Sequence, residues 1–207
     1  RGLGDVYKRQ MLIFGSMMIM MDSFSEIFLG GLEDRQSWDA QAFTMGNEDA
    51  IVEWADEKEA EHEFMIIFPA TPEGDTRQLT VYGLENVATE AGESMYLVSH
   101  SEGDLPSANQ AIPEVLIDEG LNHFLGWEIG ETHSIVFGTK TVEVKITGFT
   151  QGEITRTVYL HRADLAEILG IADEQLPSWV TNLAVWVSED KISMGDMIVS
   201  IEHLINN

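Results

Sequence analysis

The chain has 207 residues, 44% of them hydrophobic and 9% aromatic, enough apolar surface to offset the entropy of ordering and to exclude a disordered polymer. Eleven basic residues stand against 36 acidic ones, a formal net charge of -25 that repels nucleic acid phosphates and anionic lipid surfaces. The absence of cysteine removes disulfide scaffolds, thiol catalysis and cysteine metal sites together. The acidity itself fits either a surface kept hydrated in a saline habitat or an acidic binding face.

The first ten residues, RGLGDVYKRQ, hold three of the eleven basic residues, and without them the chain carries 8 basic and 35 acidic residues, or -27. The run Met11 to Met21 is uncharged but covers only about half of the roughly 20 apolar residues that cross a bilayer. Its basic flank and length suit a signal peptide, yet DSFSEIFLGGLED supplies no small-x-small cleavage site. The other reading is the outer end of a transmembrane helix, continuing through Phe24, Ile27 and Phe28 until Gly30-Gly31 stops it.

From Trp38 the pattern is that of a mixed domain. WDAQAFTM predicts a strand, and NEDAIVEWADEKEA a helix capped by Asn47 with Ile51, Trp54 and Ala55 facing inward. EFMIIF predicts a buried strand that ends at PATPEGDTRQ, where two prolines and a glycine break the pattern. LTVYGLE and MYLVSHS predict two further strands, the second leading into a long polar loop.

Val115, Leu116 and Ile117 form a continuous apolar strand, after which Asp118 is placed to cap a short helix that buries Leu121, Phe124 and Leu125. Gly126 supplies the left-handed C-terminus and Gly130 a tight turn. THSIVFG and TVEVKITGFT predict a hairpin around Gly138-Thr139-Lys140, with Val142, Val144 and Ile146 on one face. TRTVYLH predicts a strand and RADLAEILG a helix ended by Gly170. After the LPSW turn come a strand, NLAVWVS, and an amphipathic helix carrying Met194, Met197, Ile198, Ile201, Leu204 and Ile205.

Few residues point to chemistry. Histidines at 62, 100, 123, 133, 161 and 203 match no zinc spacing, and read as surface or hydrogen-bonded side chains. VSHSEGD sets His100 between two serines, but neighbours on a strand face opposite ways and no GxSxG elbow occurs, so a polar loop edge is the expectation. Glycines at 30, 31, 120, 126, 130, 138 and 148 match neither a P-loop nor a dinucleotide fingerprint and read as turns and caps. Carboxylates are so abundant that mere proximity of two is no argument for acid-base or calcium chemistry, and DxDxDG is absent. Methionines 11, 17, 18, 20 and 21 read as lipid-facing or core filler. No catalytic, cofactor-binding or metal-ligating residue is assigned.

The order of elements and several motifs resemble the extracytoplasmic domain of FtsX-like permeases of ABC transporters, the group with the MacB-like periplasmic core. The strongest similarity lies in PEVLIDEGLNHFLGWEIGETHSIVFGTKTVEVKITGFT: a strand, a short helix, a Leu-Gly-x-x-x-Gly-Asp step and a hairpin. Leu125-Gly126 and Gly130 match that step, while Glu131 stands where aspartate is usual. LTVYGLE and TVYLHRADLAEILG resemble further segments of the family, and the resemblance spans about residues 11 to 207.

The resemblance implies an α+β fold in which the two chain ends form a mixed α/β lobe, residues 33–70 and 176–207, around an inserted strand-rich lobe, residues 71–175. It implies that residues 11–32 are the outer part of a transmembrane helix and that 33–207 form the extracytoplasmic domain at the cell (inner) membrane. The implied partners are an ABC ATPase subunit, which would hold the site of ATP hydrolysis, a second permease copy, and membrane lipid around the N-terminal helix. The implied role is mechanical transmission of ATP-driven motion to a substrate or partner outside, not catalysis and not nucleic acid binding. The decapeptide resembles translated sequencing-adapter sequence, the rival being a cytoplasmic flank obeying the positive-inside tendency. The competing functional expectations are a stand-alone membrane-tethered binding domain and a hydrolase with dispersed catalytic residues.

Overall fold

The computed structural model describes residues 40–43, 48–57, 59–153, 155–171 and 181–186. The expected membrane-helix end, the Gly30-Gly31 stop, the Asn47 cap, the LPSW turn, the helix over 191–205 and His203 lie outside the described residues, as do the side chains of Ile51 and Trp54. The described chain runs β1 (Ala40–Phe43), α1 (Glu48–Glu57), β2 (Glu61–Pro72), β3 (Leu79–Leu84), β4 (His100–Gly103), β5 (Glu114–Asp118) and α2 (Glu119–Leu125). It continues through β6 (Thr132–Phe137), β7 (Lys140–Thr150), β8 (Thr157–His161), α3 (Arg162–Leu169) and β9 (Thr181–Trp186). The fold is α+β, a mixed sheet with a few helices, as the sequence predicts.

Six of the strands close on themselves. β2 pairs with β3, β3 runs parallel to β8, β8 pairs with β5, β5 runs parallel to β7, β7 pairs with β6, and β6 returns to β2 through Thr71↔Val136 and Pro72↔Ile135. Outside the ring, β9 pairs with the first half of β2, from Glu61↔Trp186 to Ile66↔Thr181, and β1 pairs with β9. Strands from the two chain ends therefore lie side by side, and β2 belongs both to that open sheet and to the ring. β4 pairs with the far end of β7 as an edge strand.

Closure follows from strict alternation, because residues one apart on a strand face opposite sides of the sheet. Leu79 and Val81, Val115 and Ile117, Val158 and Leu160, Ile135 and Phe137, and Val144 and Ile146 fill one core, joined by Leu121 of α2 and by Leu165 and Ile168 of α3. The residues between them on β2, β3, β5 and β8 make a second core: Met65, Leu84, Leu116 and Tyr159, covered by Val87, Met95, Tyr96 and Val98. With both faces buried, a one-residue slip on β5 would exchange Leu116 with its neighbours and unseat two cores at once. Each fully buried leucine or isoleucine contributes about 1.5–3 kcal/mol.

The structure corrects several sequence expectations. β2 does not stop before Pro69; Pro69 pairs with Thr80 and Pro72 with Ile135, because a strand tolerates proline wherever the ladder does not require its missing N–H. MYLVSHS is not one strand: only isolated bridges occur before His100, and Met95, Tyr96 and Val98 serve as a cover over the second core. Asp118 occupies the N-cap position of α2 in extended conformation, yet its side chain makes no capping hydrogen bond. Phe124 is 63% exposed, since the seven-residue helix turns only Leu121 fully inward.

Gly126 and Gly130 take the left-handed conformations expected of them, φ 69° and φ 89°. Gly148 and Gly120 are neither turns nor caps: Gly120 is within α2, and Gly148 lies within β7 beside a bulge against β5. A Cβ on Gly148 would sit 2.5 Å from the carbonyl oxygen of Glu102, so its hydrogen is what lets β4 approach.

Candidate functional site

The histidines are spent on structure or dispersed. His133 stacks on Trp127 with ring centroids 4.6 Å apart and meets Glu131 at 2.8 Å, while His161 Nε2 lies 3.0 Å from the carbonyl oxygen of Pro106. His62 packs edge-on to Phe64, and His123 is exposed on α2. Ser101 donates to the carbonyl of Phe149 at 3.2 Å, so the Ser99-His100-Ser101 triplet forms no relay. His100 Nε2 is buried without a partner, as is Oγ1 of Thr150 opposite it in the register. Among the described residues no group of three or more histidine, aspartate or glutamate side chains is placed to hold a metal ion.

The most polar part of the second core is a tyrosine stack. Tyr82 and Tyr159 lie with centroids 5.4 Å apart, and the hydroxyls of Tyr96 and Tyr159 are 3.2 Å apart. Burial pushes the Tyr159 phenol far above the ordinary tyrosine range, with the nearby Tyr96 and Glu153 adding to it. Glu63, half-buried at the rim of this core, accepts from Ser94 Oγ at 2.8 Å; burial raises its carboxyl, and the charge of Glu85 adds. These groups are packed under residues 85–99, so they tie the cover to the sheet.

Open surface chemistry gathers instead at one end of the ring, around the turn from Pro72 to Gln78. Three adjoining grooves surround it. The first, about 320 Å³, is lined by Pro69, Ala70, Thr76, Gln78, Val136 and Gly138 among others. The second, about 410 Å³, is lined by Gln78, Thr80, Phe124, Thr155 and Arg156. The third, about 410 Å³, passes Pro72 to Asp75, Leu125, Trp127 and Thr132 to Ser134. Along β2 this end lies beyond the β9 pairing, which stops at Ile66, about 20 Å short of Pro72 at roughly 3.3 Å per residue.

The second groove holds an exposed guanidinium, and other described cations are engaged elsewhere or, like Lys140, lie outside its lining. Arg77 forms an ion pair with Asp75, whose carboxyl is held well below the usual carboxylate range by the guanidinium hydrogen bonds. Lys145 pairs with Glu114 at 2.9 Å and lowers its carboxyl, helped by the Ser107 amide. Arg162 is laid over the Phe64 ring at 5.4 Å. Arg156 is exposed, lies 5.7 Å above the Phe124 ring, and makes no ion pair among the described residues. The Gln78 and Thr80 side chains likewise have no hydrogen-bond partner among the described residues, although the Thr80 amide donates to Arg156 O at 2.9 Å.

Sequence reasoning missed this constellation because its parts come from four segments: the end of the 73–78 turn, the start of β3, the last turn of α2 and the approach to β8. The available signal was Phe124 itself, a large ring on a helix too short to bury three apolar positions. Among the described residues no helix is long and apolar enough to cross a membrane.

No family model matches the chain, and no curated protein sequence does so. Among solved structures it is similar to the extracellular domain of the noncanonic ABC-type transporter YknZ from Gram-positive bacteria, at 12% identity, covering 78% of this chain and 84% of that one, with a TM-score of 0.49. It is also similar to a domain assigned to a permease protein from Porphyromonas gingivalis, at 13% identity, covering 70% of this chain and 62% of that one, with a TM-score of 0.42.

Proposed function

We propose that the chain contributes the extracytoplasmic domain of an ABC transporter permease of the FtsX/MacB-like kind, and that this domain passes ATP-driven motion to a substrate or partner outside the membrane. The observation that carries the reading is the side-by-side pairing of β1, β2 and β9, since a domain inserted between two membrane helices needs both ends to leave from one region. The sequence motifs support it independently: Leu125-Gly126 closes α2, and Gly130 turns the chain toward the β6–β7 hairpin, as the resemblance implies.

In this reading residues 33–207 form the extracytoplasmic domain, residues 11–32 the outer part of its first membrane helix, and residues 1–10 are foreign to the protein. ATP hydrolysis belongs to a partner subunit, and a second permease copy completes the membrane unit. Recovering the uninterrupted gene with its neighbours tests this. Further apolar segments of about 20 residues downstream and an adjacent ATPase gene are expected. A gene that encodes no later membrane segment, or that lacks an ATPase partner, overturns the proposal.

A further inference from the structure

We propose that the groove between Phe124 and Arg156 binds an extended acidic peptide segment of a partner protein, with a carboxylate on Arg156 and an adjoining apolar side chain on the Phe124 ring. This deepens the reading above, on which it rests for the partner lying outside the membrane, while the binding itself is a property of this chain.

Four observations converge. The formal charge of -25 opposes an anionic ligand at long range, so the attraction is local: the groove lining contains no carboxylate and one cation. That cation is exposed and makes no ion pair among the described residues, so it can meet an incoming anion without first breaking a bond. A guanidinium is weakly hydrated, offers paired donors to a carboxylate, and keeps its face on the ring while doing so. Phe124 is 63% exposed, so an apolar neighbour of the carboxylate has a surface to cover, and the unpartnered Gln78 and Thr80 side chains can bond to peptide groups along the wall.

The shape favours an extended peptide over a compact small molecule. The groove of about 410 Å³ is open, and Gln78 in its wall also lines the neighbouring groove of about 320 Å³ beside Thr76 and Val136. A small ligand is normally buried over most of its surface, which an open channel does not achieve. An extended chain instead presents alternate side chains to one wall, and so can place a carboxylate and an apolar group at successive contacts.

The test is fluorescence anisotropy on the full 207-residue chain with a labelled heptapeptide, capped at both ends, in which glutamate and leucine take turns at every second position with serine between them, so that both face one wall, against the same peptide with glutamine for glutamate. The expected result is saturable binding of the glutamate peptide that is about tenfold weaker for the glutamine peptide. Arg156→Gln and Phe124→Ala should each weaken it about fivefold to tenfold, and Arg156→Lys by less, because charge remains while stacking and paired donation are lost. Lys145→Gln makes the same change in net charge away from the groove and should leave affinity within about twofold.

Equal affinity for the two peptides, an Arg156→Gln effect no larger than that of Lys145→Gln, or no saturation up to about 1 mM peptide overturns the proposal. Displacement of the peptide by sodium benzoate at equal concentration would assign the groove to small aromatic acids and overturn the peptide assignment. Because the gene context is tested separately, failure of binding and failure of the permease reading give different results.

Discussion

Replacing Gly148 by alanine places one methyl group where two backbones cross. The added Cβ would lie 2.5 Å from the Glu102 carbonyl oxygen, 2.9 Å from that of Asp104 and 2.9 Å from Leu116 Cδ2. Non-bonded carbon and oxygen rest at about 3.3 Å, so β4 would have to withdraw by about 0.8 Å. The leucine terminus can swing aside, but the carbonyls cannot. Gly103, at φ 86°, already sits against Thr147 and Gly148. Withdrawal lengthens the 2.9 Å bond from the Asp104 amide to Thr147 O beyond useful range. Overpacking costs about 1–3 kcal/mol and the lost bond about 1 kcal/mol, giving about 2–4 kcal/mol in all. Gly74→Ala is the reference: its φ is 77° with nothing within 4 Å of the added Cβ, so only the left-handed penalty of about 1–2 kcal/mol applies. Urea unfolding followed by far-UV circular dichroism, with a slope of about 2 kcal/mol per molar, should show a midpoint about 1–2 M lower for Gly148→Ala. A Gly148→Ala protein no less stable than Gly74→Ala would refute the claim that the β4–β7 crossing needs a glycine.

Leu121→Ala, at a fully buried position, should cost about 2–5 kcal/mol in the same assay, while Phe124→Ala should stay within about 1 kcal/mol of the parent; the reverse order would contradict the orientation of α2. Asp118 has a carboxyl raised by burial, with the charge of Glu119 adding, so its ionisation opposes folding progressively as pH rises from the ordinary aspartate value through the raised folded-state one. Asp118→Asn is therefore expected to melt higher than the parent at pH about 7, with the difference gone below about pH 4; an equal difference at both would count against burial as the cause. The Tyr159 phenol is also raised by burial, so its contribution is intact below pH about 10 and is lost as pH rises beyond that. Tyr159→Phe should move the alkaline unfolding midpoint upward while costing about 1 kcal/mol at neutral pH for the lost Tyr96 bond; an unchanged alkaline midpoint sinks this account.

The local structure was legible where chemistry is local. The hairpin at Gly138, the strand of Val115 to Ile117, and the helix ends at Gly126 and Gly170 all depend on residues within a few positions of one another. Ring closure was not legible, because the pairings Thr71↔Val136 and Pro72↔Ile135 join residues more than sixty positions apart, and a proline-rich stretch gives no local hint of a partner strand. The cover at 95–98 failed for a related reason. Met95-Tyr96-Leu97-Val98 has strand composition, but its apolar side chains pack on a sheet face instead of alternating between two. The groove was invisible because Arg156 and Phe124, ordinary in their own segments, meet only when β8 is set beside β3 and α2 is folded down after β5.

That same closure bears on how the domain could transmit motion under the proposed function. An open sheet yields to force by twisting at its edges, whereas a ring distorts only if a ladder shears, and here six ladders share the load around two packed cores. The edges, β1 and β4, lie outside the ring. β2 is the one strand in both the ring and the pairing of the chain ends, and its twelve residues run from that pairing to the grooved end. Displacement applied through β9 and β2 would therefore arrive at Gln78, Phe124 and Arg156 as rigid-body movement.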